Sequence, residues 1–506
     1  MRGSKAVTAA TAVALILTAS ACGGGQQADA GSGTLTYAVV GVPPSLAAGA
    51  SGWASTSPFT QAVYDSLLSQ KPDGEVQPSL ASSWSYNSTK TVLTLKLRKG
   101  VKFTDGTAFD AFAAAKNLQH SQKGASAAGD LVSMKEVKAQ NADTLVITLV
   151  QPDPAFLLSL AQGAGAMQSP KQFGTKAEKT DPIGTGPYVF DASHTVVGSK
   201  YVYTKNPHYW NPDAQHYGKL VLSVLGSVST QTNAAMGEQL NLVTLLTPDT
   251  EGKIKAAGYQ FLPQPPGWGG LLLLDRDGKL SPPLAKVKVR QAINYAIDRT
   301  SLTKVPGGDR ATPTDQIFDP TSPAYVAGLD DTYPYDPAKA RQLLREAGYP
   351  KGFTLSMPLM QAGSDVMSNL VKQNLGDVGI NVKYASETIQ SAYQKLVAGQ
   401  YPALLFGVTS EHNLWRDLRS TVVPAGLLNP FHTKNAQVDA LLSKIQTGSA
   451  TQAAAAGQQL NRYLVEQAWF VPLTRGSTAM AVDKNTSAKA QADNPVPLLQ
   501  YIKPKG

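Results

Sequence analysis

VYDSLLSQKPDGEVQPSLASSWSYNSTKTVLTLKLRKGVKFTDGTAFDA, residues 63–111, carries the clearest local pattern in the chain. Within it Leu93, Leu95 and Leu97 alternate with Thr94 and Lys96. That period of two predicts a half-buried strand ending at Lys99-Gly100. Asp105-Gly106 follows as a turn pair, glycine accepting a positive φ between extended segments. Segment 108–120, AFDAFAAAKNLQH, is helical in composition. The period of two returns on both sides, at Leu35, Tyr37 and Val39 upstream and at Leu145, Ile147 and Leu149 downstream. The first third therefore reads as a mixed lobe of sheet and helix.

Farther out, the second half shows α/β units. Segment 286–299 places Val289, Ala292, Ile293, Ala296 and Ile297 on one helical face. Segment 336–348 opens with Asp336 as N-cap and Pro337 at the first helical position, and Gly348 closes it in the left-handed conformation. Its apolar stripe is Ala340, Leu343, Leu344 and Ala347. An extended run from Phe353 to Leu359, a helix over 364–378 and a strand over 380–384 then form a βαβ unit, so part of the sheet is expected to be parallel.

With 506 residues, the chain is too long for one ordinary core, and two or more lobes are expected. Hydrophobic residues at 42% and charged residues at 16% are a globular composition. The formal charge of +9 comes from scattered Lys and Arg with no run of five, a mildly basic surface rather than a nucleic-acid footprint. The single cysteine, Cys22, excludes a disulfide within the chain and any cysteine-cluster metal site.

Cys22 instead ends a leader. MRGSK is a short positive segment, and AVTAATAVALILTA over 6–19 is apolar but too short to span a bilayer comfortably. Ala19-Ser20-Ala21-Cys22 resembles a bacterial lipoprotein signal, with Ala19 where leucine is usual. Removal of 1–21 would leave Cys22 for lipidation, followed by a flexible tether over 22–33. The alternative is plain secretion with cleavage nearby.

Four segments then fall into one order. They are Leu97 to Thr107 (LRKGVKFTDGT); Pro182 to Tyr188 (PIGTGPY) with Lys205 to Trp210 (KNPHYW); Val287 to Arg299 (VKVRQAINYAIDR); and Tyr335 to Ala340 with Leu343-Leu344 and Ala347-Gly348-Tyr349. Across 34–480 their order and spacing resemble the extracellular solute-binding proteins of family 5, the oligopeptide, dipeptide and nickel-binding components of ABC importers. The resemblance implies an α/β, two-lobed, periplasmic-binding-protein-like clamshell with an extra domain inserted in the first lobe. It assigns 34–55, 165–265 and 475–506 to the first lobe, 56–164 to the inserted domain and 266–474 to the second lobe. Independently of pedigree, Gly184-Thr185-Gly186-Pro187 reads as tight backbone at a crossing where side chains would block approach.

The resemblance also places the cleft. On its positions stand Trp53, Trp268 and the run Glu411, His412, Asn413, Leu414, Trp415, Arg416 and Asp417. The two tryptophans sit among Gly, Ser and Pro, which reads as loop and suits a ligand platform, or a ring tucked against its own lobe. Peptide binders of the family carry an Asp-rich run near 411, one Asp of which pairs with the peptide α-amino group. Thr409-Ser410-Glu411-His412-Asn413 stands there instead. Glu411 can replace that counter-charge, or the amine site is lost and the cargo is a modified peptide, a sugar-like solute, a siderophore or another metabolite. Arg416 and Arg419 can pair with an anionic cargo or stand exposed on a helix.

His208 and His216 are too far apart for a helical metal pair, and Asp275-Arg276-Asp277-Gly278 reads as a turn rather than a calcium loop. There is no G-x-S-x-G elbow, H-E-x-x-H pair, Walker loop or G-x-G-x-x-G opening a helix. The expectation is a monomeric, lipid-anchored binding protein on the outer face of the bacterial cytoplasmic membrane. It would capture a peptide or peptide-like solute for ABC permease subunits, with no cofactor, metal, nucleic acid or catalytic residue. A ligand-sensing lipoprotein without transport and a secreted hydrolase are the alternatives.

Overall fold

The computed structural model describes residues 33–50, 53–124, 127–303, 311–360 and 365–505; the leader, Cys22 and tether residues 23–32 lie outside the described residues. Strand Thr34–Val39 buries Leu35, Tyr37 and Val39, as its alternation demands. It lies inside a seven-stranded sheet, parallel to Lys219–Val224 on one side and Leu242–Val243 on the other. Strand Ala479–Val482 enters the same sheet between Leu242–Val243 and Gln260–Pro263, antiparallel to both. The first lobe is thus built from segments remote in the chain.

Between Thr34–Val39 and Tyr188–Phe190 the chain leaves that sheet and forms another. Its order is Ala81–Tyr86, Val92–Leu97, Thr144–Leu149 and Met134–Asn141, all antiparallel. Leu93, Leu95, Leu97, Leu145, Ile147 and Leu149 are all buried in its core with helix Ala111–Ser121. Asp110 caps that helix by accepting the Ala113 N–H at 2.8 Å. In the turn after Val92–Leu97, Gly106 has φ 80° and Asp105 Oδ1 accepts the Thr107 N–H at 2.8 Å. The Gly184-to-Pro187 crossing is as tight as its sequence requires. A Cβ on Gly184 would lie 2.2 Å from the Val63 carbonyl oxygen, and the Gly186 N–H donates to that oxygen at 2.8 Å.

The second lobe is centred on strand Gly267–Leu273, antiparallel to Ala403–Thr409 and Phe470–Gly476, with Ala311–Pro313 at the edge. The parallel pair is present: Phe353–Met360 runs with Ile380–Glu387, joined through helix Asp365–Asp377. Helix Pro337–Glu346 begins at Asp336, whose side chain accepts the Lys339 N–H at 2.8 Å, and Gly348 has φ 86°. Helix Val287–Tyr295 stops short of residue 299, although Ala296 and Ile297 remain buried.

Trp268 corrects the sequence reading. It lies in a strand, not a loop, 6% exposed, with its ring 5.5 Å from that of Phe470. The neighbouring glycines serve strand contacts: a Cβ on Gly270 would sit 2.3 Å from the Val471 carbonyl oxygen, beside a register shift between Gly269 and Gly270.

Candidate functional site: a polar seam between the lobes

Helix Leu414–Thr421 of the second lobe is two-faced. Trp415 and Leu418 pack into the core with Leu272 and Phe318. Asn413 caps the helix, accepting the Arg416 N–H at 3.1 Å. The other face carries Arg416 and Arg419 toward the inserted sheet domain.

Arg416 is only 8% exposed along its side chain. Its Nε stands 2.5 Å from Glu411 Oε2, a Coulombic contact without hydrogen-bond alignment. Nη1 donates to Gln162 Oε1 at 2.6 Å, and Nη2 is 3.8 Å from Asp130 Oδ1. Arg419 pairs with the same Asp130 oxygen. Gln162 Nε2 donates onward to Asp493 Oδ2 and Gln70 Oε1, each at 3.2 Å, and Gln70 Nε2 donates to Asp493 Oδ2 at 2.6 Å. One seam therefore joins the second-lobe helix, the inserted domain and the C-terminal segment. Gln151 Nε2 adds a bond to Gln446 Oε1 at 3.1 Å, and Ala155 packs into the second lobe's core.

The charges in this seam do not balance. Glu411, Asp130 and Asp493 act on Arg416, and Arg419 is the second guanidinium, so three acids meet two guanidiniums, with His412 beside Asp493. Burial disfavours the Arg416 charge, but Glu411, Asp130 and Asp493 outweigh it, so its pKa is raised. Burial pushes the Glu411 and Asp493 carboxyls up, with Arg416 offsetting part of the shift in each. Burial carries Asp417 up to about 7, although the Glu411 N–H (2.8 Å) and Ser410 Oγ (3.2 Å) donate to it. A site with surplus buried acid attracts a cationic group.

At the hinge lies a cavity of about 360 Å³ bounded by Leu246 of the first lobe, Trp268, Gly407 and Thr409 of the second, and the crossing residues Ser477 and Thr478. Trp53 is elsewhere. It lines a separate cavity between the first-lobe sheet and the inserted domain, and its carbonyl accepts Asn494 Nδ2 at 3.0 Å. Of the expected ligand residues, Glu411 and Arg416 meet in the seam, and His412 is exposed beside them with φ 48°. Asn413 has a capping partner, and Trp415 faces the core. Neither arginine of the helix stands free in solvent.

Asp130, Gln162, Gln70 and Asp493 carry no sequence signal of their own, because polar residues converging from remote segments leave no periodic trace. Asp275 is a turn anchor, accepting the N–H groups of Lys279, Leu280 and Ser281 at 2.6–2.7 Å. His208 is exposed, whereas His216 Nε2 lies 3.0 Å from the Gln500 carbonyl oxygen. Among the described residues no group of three or more His, Cys, Asp or Glu is placed to hold a metal ion. Among them, too, no helix is long and apolar enough to cross a membrane.

The family model described as "Bacterial extracellular solute-binding proteins, family 5 Middle" matches residues 75–413, well over half of the chain, and the chain belongs to that family. The glutathione-binding protein GsiB of Shigella dysenteriae serotype 1 (strain Sd197) is 28% identical over 447 residues, 83% of this chain and 85% of that relative. The protein of the same name from Escherichia coli (strain K12) is 31% identical over 330 residues, 63% of each chain, so this chain spans less than two thirds of that relative. Among solved structures, the ABC transporter-associated periplasmic binding protein DppA from Helicobacter pylori in complex with peptide STSA has a TM-score of 0.83 at 21% identity, covering 94% of this chain and 98% of that chain. That likeness shows the fold, the two-lobed α/β architecture of periplasmic binding proteins. Solute binding is the role that the family carries.

Proposed function

We propose that this chain is the lipid-anchored substrate-binding component of an ABC importer, held at the outer face of the cytoplasmic membrane through Cys22. It captures a peptide or peptide-like solute by closure of its lobes and delivers it unchanged to the permease. The observation that supports this most is the seam itself. Residues of the second lobe, Glu411 and Arg416, meet Gln162, Asp130 and Asp493 from the other side of the cleft. A solute ammonium would supply the positive charge that the seam lacks, and a solute carboxylate would compete with Glu411 for Arg416. Such contacts are complete only when the lobes close, so binding shifts the population toward the closed form. The glutathione-binding relatives and the peptide-bound neighbour fit a zwitterionic, peptide-like cargo.

Calorimetric titration of the mature protein with glutathione, a dipeptide and a tripeptide tests this reading. At least one should bind saturably and be recovered chemically intact. Arg416→Met should weaken that binding by at least about tenfold, the loss of one charge-assisted contact. Absence of binding to all three, or unchanged affinity in Arg416→Met, would refute the assignment of the seam.

A further inference from the structure

The cavity lined by Trp53 shares no residue with the hinge cavity and has a chemistry of its own. Its volume is about 250 Å³, below the roughly 300–1,000 Å³ typical of drug-sized ligands. Trp53, Tyr209 and Trp210 line it, and Asp65 lies among them. The Asp65 carboxylate is held by three neutral donors: Tyr209 Oη at 2.8 Å, Trp210 Nε1 at 2.7 Å and Thr185 Oγ1 at 3.0 Å. No Lys, Arg or His is among the residues that line the cavity. Arg98 does stack on Trp210, with Cζ 4.8 Å from the ring centroid, so that ring already accepts one cation.

An acid without a cationic partner, set among aromatic rings, attracts an organic cation through charge and ring quadrupoles.

We infer that this junction cavity is a second ligand site, for a small alkylated ammonium ion. The ammonium rests in the cavity beside Asp65, Trp53 and Tyr209. The site joins the first-lobe sheet to the inserted domain, so an occupant there would stiffen that junction without entering the seam.

Choline is the probe, and 3,3-dimethyl-1-butanol is its uncharged carbon analogue. Titration of the mature protein should give saturable choline binding with one site, and the analogue should bind at least about tenfold more weakly. Trp53→Leu and Asp65→Asn should each lower choline affinity by at least about tenfold. Asp65 ties three side chains together, so if Asp65→Asn fails to fold, Trp53→Leu alone decides. In Arg416→Met, which alters only the seam, the choline isotherm should persist; its loss would place choline in the cleft and overturn the assignment. So would equal binding of the analogue, no saturation at millimolar choline, or an unchanged affinity in Trp53→Leu.

Discussion

Asp417 illustrates the chemistry of the seam at the scale of one residue. Its carboxyl is pushed up to about 7, chiefly by burial, from an ordinary value of about 3.9. Between those values the folded protein keeps a proton that the unfolded chain has released. The stability that this proton contributes is fully present below the unfolded pKa and is lost as pH rises through about 7. Thermal unfolding should therefore show a lower midpoint at pH 8 than at pH 5, and Asp417→Asn should flatten that slope. Asp65 and Asp315, each raised to about 6 by burial, will leave part of it. An Asn variant with the full wild-type slope would contradict this account. The seam also marks the limit of sequence reading. Glu411 and Arg416 are close in the chain and could be singled out, whereas Gln162 and Asp493 reach them from segments whose polar side chains follow no period.

Elements with strong local signals were legible because one physical requirement sets each of them. Helix Pro337–Glu346 has its cap, its first-turn proline and its terminal glycine where the sequence demands. Asp336→Ala removes the acceptor for the Lys339 N–H and should cost about 1 kcal/mol. The check is the urea midpoint of second-lobe unfolding; no shift would mean that the cap carries no stability. Strand Val92–Leu97 was legible for a similar reason, since one face must enter the core. Strand Gly267–Leu273 was not. Its glycines suggested a loop, yet they permit close backbone approach to Phe470–Gly476 and Ala403–Thr409. Glycine marks both turns and crowded strands, and only tertiary contacts separate the two.

At the scale of the molecule, the proposed closure would balance opposing electrostatic terms. Bringing Arg416 and Arg419 against Asp130 removes two guanidiniums from water, and the desolvation cost offsets much of the Coulombic gain. On the proposed reading, a solute that neutralises the surplus acid shifts the balance toward the closed form. The most direct test is the distance between the inserted domain and the second lobe, measured by pulsed electron resonance. Spin labels at Lys138→Cys, on strand Met134–Asn141, and Gln437→Cys, on helix Ala436–Thr447, report it in a Cys22→Ser background. A solute that titrates in calorimetry should convert a broad, longer distribution into a narrow, shorter one. The same distribution with that solute bound would contradict closure as the basis of capture.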